Sequence, residues 1–383
     1  MDSSRKFKEM INFWSYKNEY RNYRGILLNI FDKTLKDGQI FFGKNLSIFE
    51  KNFKRIYKCK YGIGVGSGTD SLLISLMSLG IKRGDEVITA ANTAIPTISA
   101  IVNSGATPKL VDINDNYLID TTKIEKAITK KTKALIPVHL YGKACDMYSI
   151  IKIAKKYNIA VIEDCAQAQG AKFNGKYVGT FGDFGCFSFY PTKILGAYSD
   201  GGFILTNNHK LYQNIKKIRF YGIDTINKKN KFFNKYYSNL NGVNSRLDEI
   251  NSKILDFKLK KINSFISRRR KIAEIYDKEL KKTSLKLPNK DKKFFDVYHL
   301  YTVYHPKREK IIKELHKKKI ETRIIYPYPI NLMKGYKKFF KNKKFKVSEI
   351  RSKGIFSLPL YPELKINSVY KVCKELKRIL NNI

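Results

Sequence analysis

Between about residues 60 and 207 the chain repeats one unit: a short apolar run, a turn, then a stretch long enough for a helix. The apolar runs fall at residues 86–90, 108–112, 134–139, 159–163, 185–189 and 202–206. Between them, residues 69–79 place Leu72, Leu73, Leu76 and Leu79 on one helical face. Met147, Ile150, Ile151 and Ala154 repeat the same period. Strand-like and helix-like segments alternating in this way imply a largely parallel sheet flanked by helices, an α/β fold. In such sheets a ligand binds where the strands end.

After about residue 250 the pattern changes. Residues 250–280 read as one long basic helix, followed by a strand-like run at 298–303 and a terminal helix from about 367 to 380. With 383 residues the chain is too long for one small core. The expected organisation is a large domain over 1–250, including an N-terminal helix at 20–35 that packs on the main body, and a smaller α+β domain over 251–383. Lysine and arginine outnumber acids 75 to 33, a formal charge of +42. A nucleic-acid binder concentrates such charge in an arm or stripe. Here it is spread, thickening only modestly at Lys228-Lys229, Lys260-Lys261, Arg268-Arg269-Arg270 and Lys317-Lys318-Lys319. That distribution favours a compositional bias, with no nucleic-acid partner. The five cysteines form no Cys-x-x-Cys pair, which argues against zinc and against a disulfide framework. No apolar stretch reaches the ~20 residues that span a bilayer, and the polar start lacks a signal-peptide core. A cytoplasmic location is the expectation.

Chemistry enters at the ends of the apolar runs. Asp164 closes the 159–163 run, and Lys193 follows the 185–189 run immediately after Pro191-Thr192. An acid and a lysine so placed match what pyridoxal phosphate needs. The amine forms a Schiff base with the cofactor aldehyde, and the carboxylate holds a proton on the ring nitrogen. Burial after an aromatic-rich strand would lower the amine's pKa and make it a competent nucleophile. Gly64-Val-Gly-Ser-Gly-Thr-Asp70 leads directly into the helix at 69–79, where backbone amides and the helix N-terminus favour a phosphate. Gln167 has the reach to bond the cofactor's phenolic oxygen, and Ser188 can offer its hydroxyl to the phosphate. Taken singly, each of these residues fits an ordinary turn, cap or strand end equally well; their combination carries the case.

The segments Gly66-Ser-Gly-Thr-Asp-Ser-Leu72, Gly84-Asp-Glu-Val-Ile-Thr89, Val138-His-Leu-Tyr-Gly142, Glu163-Asp-Cys-Ala-Gln167 and Ser188-Phe-Tyr-Pro-Thr-Lys193 resemble those of the DegT/DnrJ/EryC1/StrS nucleotide-sugar aminotransferases. Asn244-Ser-Arg-Leu-Asp-Glu249 and Tyr326-Pro-Tyr-Pro329 extend the likeness, which runs in order from about residue 43 to 362. The resemblance implies the aspartate-aminotransferase fold (fold type I) and a homodimer with shared active sites. By position, Lys193 would be the Schiff-base lysine, Asp164 the pyridinium partner and Gln167 the contact to the ring hydroxyl. Gly68, Thr69 and Ser188 would hold the phosphate of pyridoxal 5'-phosphate, joined by Asn244 from the neighbouring subunit. Tyr326 and Tyr328 would contact the sugar substrate. The implied reaction moves nitrogen from L-glutamate to the keto group of a nucleotide-linked deoxysugar.

The chain departs from the family pattern at three places. Many members stack an aromatic residue on the cofactor ring where this chain has Ala94, and histidines often stand where Ile325 and Asn331 do. The segment Asn92-Thr-Ala-Ile-Pro-Thr97 resembles members that aminate carbon 3 of dTDP-linked 3-keto-6-deoxyhexoses. Amination of a UDP- or GDP-linked 4-keto-6-deoxysugar is the alternative substrate. A related dehydratase reading is disfavoured because one branch of that chemistry replaces the lysine with histidine. From another class, a non-catalytic cofactor-binding regulator would tolerate loss of Lys193.

Overall fold

The computed structural model describes residues 10–223, 237–341 and 343–383, so the basic pair Lys228-Lys229 and most of the polar start lie outside the described residues. Helices α1 (Lys17–Lys36) and α2 (Lys44–Ile56) precede strand β1 (Tyr61–Val65). Strands and helices then alternate: α3 (Gly68–Ser78), β2 (Glu86–Ala90), α4 (Ile95–Asn103), β3 (Thr107–Val111), α5 (Ile124–Ala127), β4 (Thr132–Ile136), α6 (Met147–Tyr157) and β5 (Ala160–Asp164). A small hairpin, β6 (Lys172–Phe173) and β7 (Lys176–Tyr177), leads into β8 (Phe184–Ser188), β9 (Gly202–Thr206) and α7 (His209–Ile218). Beyond these lie α8 (Glu249–Leu259), α9 (Ile262–Leu280), β10 (Phe294–Phe295), β11 (Tyr301–Tyr304), α10 (Arg308–Lys317), α11 (Lys346–Gly354), β12 (Ile355–Leu358) and α12 (Ile366–Leu380).

Seven strands form the main sheet in the order β1-β9-β8-β5-β4-β2-β3. Every neighbouring pair is parallel except the two that flank β9, so β9 alone runs against the rest. Side chains of adjacent strand residues point to opposite faces, and β8 and β9 show the result. Phe187, Phe203 and Leu205 join Phe49 and Phe53 of α2 in one core layer. Cys186 and Ile204 join Leu72 and Leu76 of α3 in the other. The expected apolar face of α3 is refined by the structure: Leu73 and Leu79 are only half-buried, while Ser71 and Ser75 are buried against β8. The Ser75 hydroxyl donates to the Ser71 carbonyl at 2.7 Å, which lets these small polar residues sit inside without an orphaned group.

The single helix expected over 250–280 is two helices. The chain turns at Lys260-Lys261: Leu255 and Leu259 of α8 share one core with Ile262 and Ile266 at the start of α9, and the rest of α9 runs on into another core. Helix α8 packs on α1 and α2, whereas α9 packs on α12 and closes a core with β11, β12 and α10. No Gly or Pro marks the turn in the sequence. The strand expected at 298–303 begins later, at Tyr301, since Tyr298 sits at φ 50° and cannot continue an extended strand. The N-terminal helix lies on the main body through Leu27 and Ile30, which meet Ile254 of α8.

Helix α2 has Gly43 at its N-cap and no local side-chain cap. Its free amides are taken instead by Glu249 at the start of α8, which is 2 % exposed. The carboxylate accepts from Gly43 N–H at 2.7 Å, Asn45 N–H at 2.7 Å and Leu46 N–H at 3.2 Å. Charge-assisted bonds to helix-start amides are strong, and orphaned buried donors are costly. Glu249→Ala is therefore expected to destabilise the protein by at least about 2 kcal/mol, read as a lowered urea midpoint at unchanged m. A midpoint within error of the unaltered protein would show that this clamp contributes nothing.

Candidate active site

The parallel strands β4, β5 and β8 end together, and the segments that leave them build one cavity of about 320 Å³. Asp164 is the last residue of β5 and is 4 % exposed. Its backbone N–H donates to the Pro137 carbonyl at 2.9 Å, tying the end of β5 to the segment after β4. After β8 the chain makes a turn closed by Lys193 N–H to the Tyr190 carbonyl at 2.9 Å, and buried Ile194 and Leu195 anchor its far side. Lys193 thereby faces into the same cavity as Asp164. Helix α3 starts at its floor: Ser67 caps the helix by accepting from Asp70 N–H at 3.0 Å, leaving Gly68 and Thr69 in the first turn. The first amides of a helix have no partner within it.

Close approach fixes the residue type at Gly68. A Cβ there would stand 2.6 Å from Ser188 Cβ, so only glycine lets the helix start come this near to β8. Ser188, at the end of β8, and Gly68 thus converge on one spot. A phosphate at that spot would meet unpaired helix-start amides and a hydroxyl. The cavity also lies beside a lysine opposite a buried carboxylate, and its size suits a pyridine ring with substituents. The residues present fit pyridoxal phosphate.

Electrostatics sharpen the pairing. Burial lowers the Lys193 amine from its ordinary value to about 8, opposed only in part by Asp164. Burial pushes the Asp164 carboxyl up; the Thr97 hydroxyl, the Ala166 N–H, Lys193 and His139 all pull it back. Thr97 Oγ1 donates to Asp164 Oδ2 at 2.8 Å and Ala166 N–H to Oδ1 at 3.1 Å. Behind Asp164, the Glu163 carboxylate is saturated by the N–H groups of Gly179, Phe181 and Gly182 and by His139 Nε2 at 3.1 Å. Cys145 N–H donates to His139 Nδ1, so Nε2 carries the proton that Glu163 accepts. His139, Glu163 and Cys165 offer three possible metal ligands near one another, but the saturated carboxylate explains their grouping as structural.

Among the residues expected from sequence, Gly68, Thr69, Asp164, Gln167, Ser188, Lys193 and Tyr326 all line the cavity. Gln167 is locked: its Oε1 accepts from Tyr141 N–H at 2.8 Å and its Nε2 donates to the Tyr326 hydroxyl at 3.0 Å. Ala94 lies on the wall beside Ile95 and Pro96, and the aromatic residues of the lining are Tyr190 and Tyr326. Tyr328 is 62 % exposed and outside the lining. Asn244 is exposed and also outside it. Its neighbour Ser245 is tied to the chain's own glycine turn, accepting from Gly66 N–H at 2.8 Å and donating to Asp70 Oδ2 at 2.7 Å. Ile325 offers its carbonyl to the Tyr141 hydroxyl at 2.6 Å, and buried Asn331 donates to Glu349 at 2.9 Å, away from the cavity.

Thr97 and Tyr141 were not singled out as site residues from sequence, although both lie inside segments that carry the family likeness. Nothing in their spacing ties them to Asp164 or Gln167; only the fold does. A second cleft of about 190 Å³ lies behind Tyr141, but its charges are already paired, Lys143 with Asp296 at 2.8 Å and Lys286 with Asp115 at 3.2 Å.

Fold and site together define a pyridoxal-phosphate-dependent aminotransferase of fold type I. The profile of the DegT/DnrJ/EryC1/StrS aminotransferase family matches residues 26–377, and the chain belongs to that family. It is 36 % identical over 377 residues to the dTDP-3-amino-3,4,6-trideoxy-alpha-D-glucose transaminase of Micromonospora megalomicea subsp. nigra, covering 97 % of this chain and 99 % of that one. It is 40 % identical over 371 residues to the dTDP-3-amino-3,6-dideoxy-alpha-D-galactopyranose transaminase of Aneurinibacillus thermoaerophilus, covering 96 % and 99 %. The crystal structure of DesV from S. venezuelae in complex with a ketimine intermediate superposes with a TM-score of 0.91 at 31 % identity, covering 98 % of this chain and 100 % of that one. The names of relatives span dTDP-, UDP- and GDP-linked sugars. Among the described residues no helix is long and apolar enough to cross a membrane.

The lowered amine pKa has a kinetic consequence. Only the neutral amine attacks an aldehyde, and Lys193 becomes neutral as pH rises through about 8 rather than through the ordinary lysine value. The rate at which the cofactor-free protein takes up pyridoxal phosphate should therefore climb with pH to about 8 and level off above it. Stopped-flow absorbance reads this directly. A rate still climbing steeply at pH 10 would mean that Lys193 is not desolvated.

Proposed function

We propose that this chain transfers the amino group of L-glutamate to the keto group of a nucleotide-linked deoxysugar, most specifically to carbon 3 of a dTDP-linked 3-keto-6-deoxyhexose. One observation carries the reading: Lys193 and Asp164 face one cavity whose floor is the open start of α3. Pyridoxal phosphate supplies, when bound, an aldehyde that an amine can capture and a ring that accepts electrons once its nitrogen is protonated. Asp164 holds that proton, as a carboxylate kept in a dry place by two donors. Lys193 Nζ, without a hydrogen-bond partner among the described residues and lowered in basicity, would hold the cofactor through its aldehyde and carry the proton that the transfer of nitrogen requires. Gly68, Thr69 and Ser188 hold the phosphate. Gln167, its amide kept from rotating by Tyr141 and Tyr326, would meet the ring hydroxyl.

The net reaction exchanges groups: glutamate leaves as 2-oxoglutarate and the keto sugar leaves as an amino sugar. The two dTDP-3-amino-sugar transaminases at 36 % and 40 % identity support the choice of carbon 3 and of dTDP. The lysine poised in the cavity speaks against a purely regulatory role. We further read the enzyme as a cytoplasmic homodimer whose large domain ends near residue 250. Exposed Tyr20, Leu28, Phe31 and Leu35 of α1, with Phe41 and Phe42 after it, form an apolar surface of the kind that a second copy covers. Exposed Asn244 then has a neighbour's phosphate to reach.

Lys193→Ala should abolish both the yellow colour of the purified protein and glutamate-dependent amination, measured by mass of the product from a panel of keto-sugar nucleotides. Turnover unchanged in that variant would overthrow the mechanism. Asp164→Ala should cost about 10²- to 10³-fold in kcat, the scale of removing one preorganised charge; a near-normal rate would reduce Asp164 to a strand cap.

A further inference from the structure

We propose that Thr97, backed by Thr93, is the positioning residue that keeps Asp164 ionised and aimed at the ring nitrogen of the cofactor. The proposal rests on the reading of Asp164 as the pyridinium partner. It starts from an unusual use of a helix's first turn. Thr97 lies in the first turn of α4, whose N-cap is Ala94 with no side-chain cap bond. A threonine there ordinarily serves its own helix. Thr97 instead is fully buried and spends its hydroxyl proton on Asp164 Oδ2, 2.8 Å away at the end of β5. Thr93, 1 % exposed, stands behind it with its Oγ1 3.0 Å from Thr97 Oγ1. Since the single proton of Thr97 goes to the carboxylate, the proton between the two threonines belongs to Thr93. The result is a directed relay, Thr93 to Thr97 to Asp164, in which each bond polarises the next.

The relay answers a specific need. Asp164 is buried, and burial raises its carboxyl, so each donor taken away shifts it further toward the neutral form, which cannot hold a proton on the ring nitrogen. The titratable and charged groups around it are Lys193 after β8, His139 after β4, Tyr326 and the cysteines Cys145, Cys165 and Cys186. His139 spends its proton on Glu163, and Lys193 must give up its charge to capture the cofactor. Among the described residues two neutral donors bond Asp164: the Ala166 N–H, which any residue supplies, and the Thr97 hydroxyl. Position 97 is where side-chain chemistry controls the charge of Asp164. The first turn of α4 adds the positive end of the helix dipole in the same place.

The test compares Thr97→Val, which keeps the shape and loses the hydroxyl, with Thr97→Ser, which keeps the hydroxyl. Thr97→Val should weaken pyridoxal phosphate binding to the cofactor-free protein by about 10-fold. It should also raise the pH at which the visible band of the loaded protein titrates by about one unit, because losing charge on the ring nitrogen makes the lysine-bound nitrogen more basic. Its kcat should fall about 10- to 100-fold with KM for glutamate within about 3-fold. Thr97→Ser should restore all three readouts to within about 3-fold, with both variants melting as the parent does. Normal cofactor affinity and an unmoved band in Thr97→Val would overturn the proposal, as would a Ser variant as impaired as the Val one, which marks a packing role. Asp164→Asn, measured in parallel, separates the layers. If it too binds and titrates normally, the reading of Asp164 falls and takes the proposal with it; if it is impaired while Thr97→Val is not, only the role of Thr97 falls.

Discussion

A lysine amine and a carboxylate share one dry cavity in this protein, and each is pushed by burial toward its neutral form. The proposed chemistry needs that push on one side only. The amine must lose its proton easily, and the Lys193 side-chain amine has no hydrogen-bond partner among the described residues. The carboxylate must stay charged, so Asp164 receives a donor on each oxygen. Opposite treatment of two groups in the same low-dielectric space separates their roles. Much of the surrounding architecture serves to hold that difference.

The sheet accomplishes this by ending several strands at one level. Asp164 comes from the end of β5, Lys193 from the turn beyond β8, and the start of α3 follows β1, two strands over from β8. Strand β9, the one that runs against the others, lies between β1 and β8 and brings Gly202 against Ser67, where a Cβ would stand 2.1 Å from the Ser67 carbonyl. This contact presses the glycine turn toward the end of β8. Glu163, saturated by backbone amides, keeps the loop at residues 179–182 against the underside of the site.

The strands, and the residues that line the cavity, are readable because their signals are local. Apolar runs mark β2 to β5, β8 and β9, and the lysine and aspartate stand at run ends, where a ligand is expected. What escaped was set by distant partners. The turn at Lys260-Lys261 has no breaker residue; it exists because all of α9 beyond its start is drawn into a core that α8 does not enter. Thr97 looks like any threonine in an apolar stretch until the fold carries it to Asp164, 67 residues along the chain. Tyr141 likewise meets Gln167 through its backbone, which no side-chain pattern encodes. Tyr328 shares its motif with Tyr326, yet only Tyr326 reaches the cavity wall, since proximity in sequence does not fix which side chain turns inward.

Glu249 caps a helix that begins some two hundred positions earlier, and β1 finds its sheet neighbour only in β9. During synthesis, the sheet-bonding edge of β1 and the first amides of α2 therefore leave the ribosome unmet and wait until residue 206, then residue 249, has emerged. The segment carrying α2 and β1 is thus secured only well after it is made. Premature termination anywhere before α8 leaves a sticky fragment rather than a smaller working enzyme.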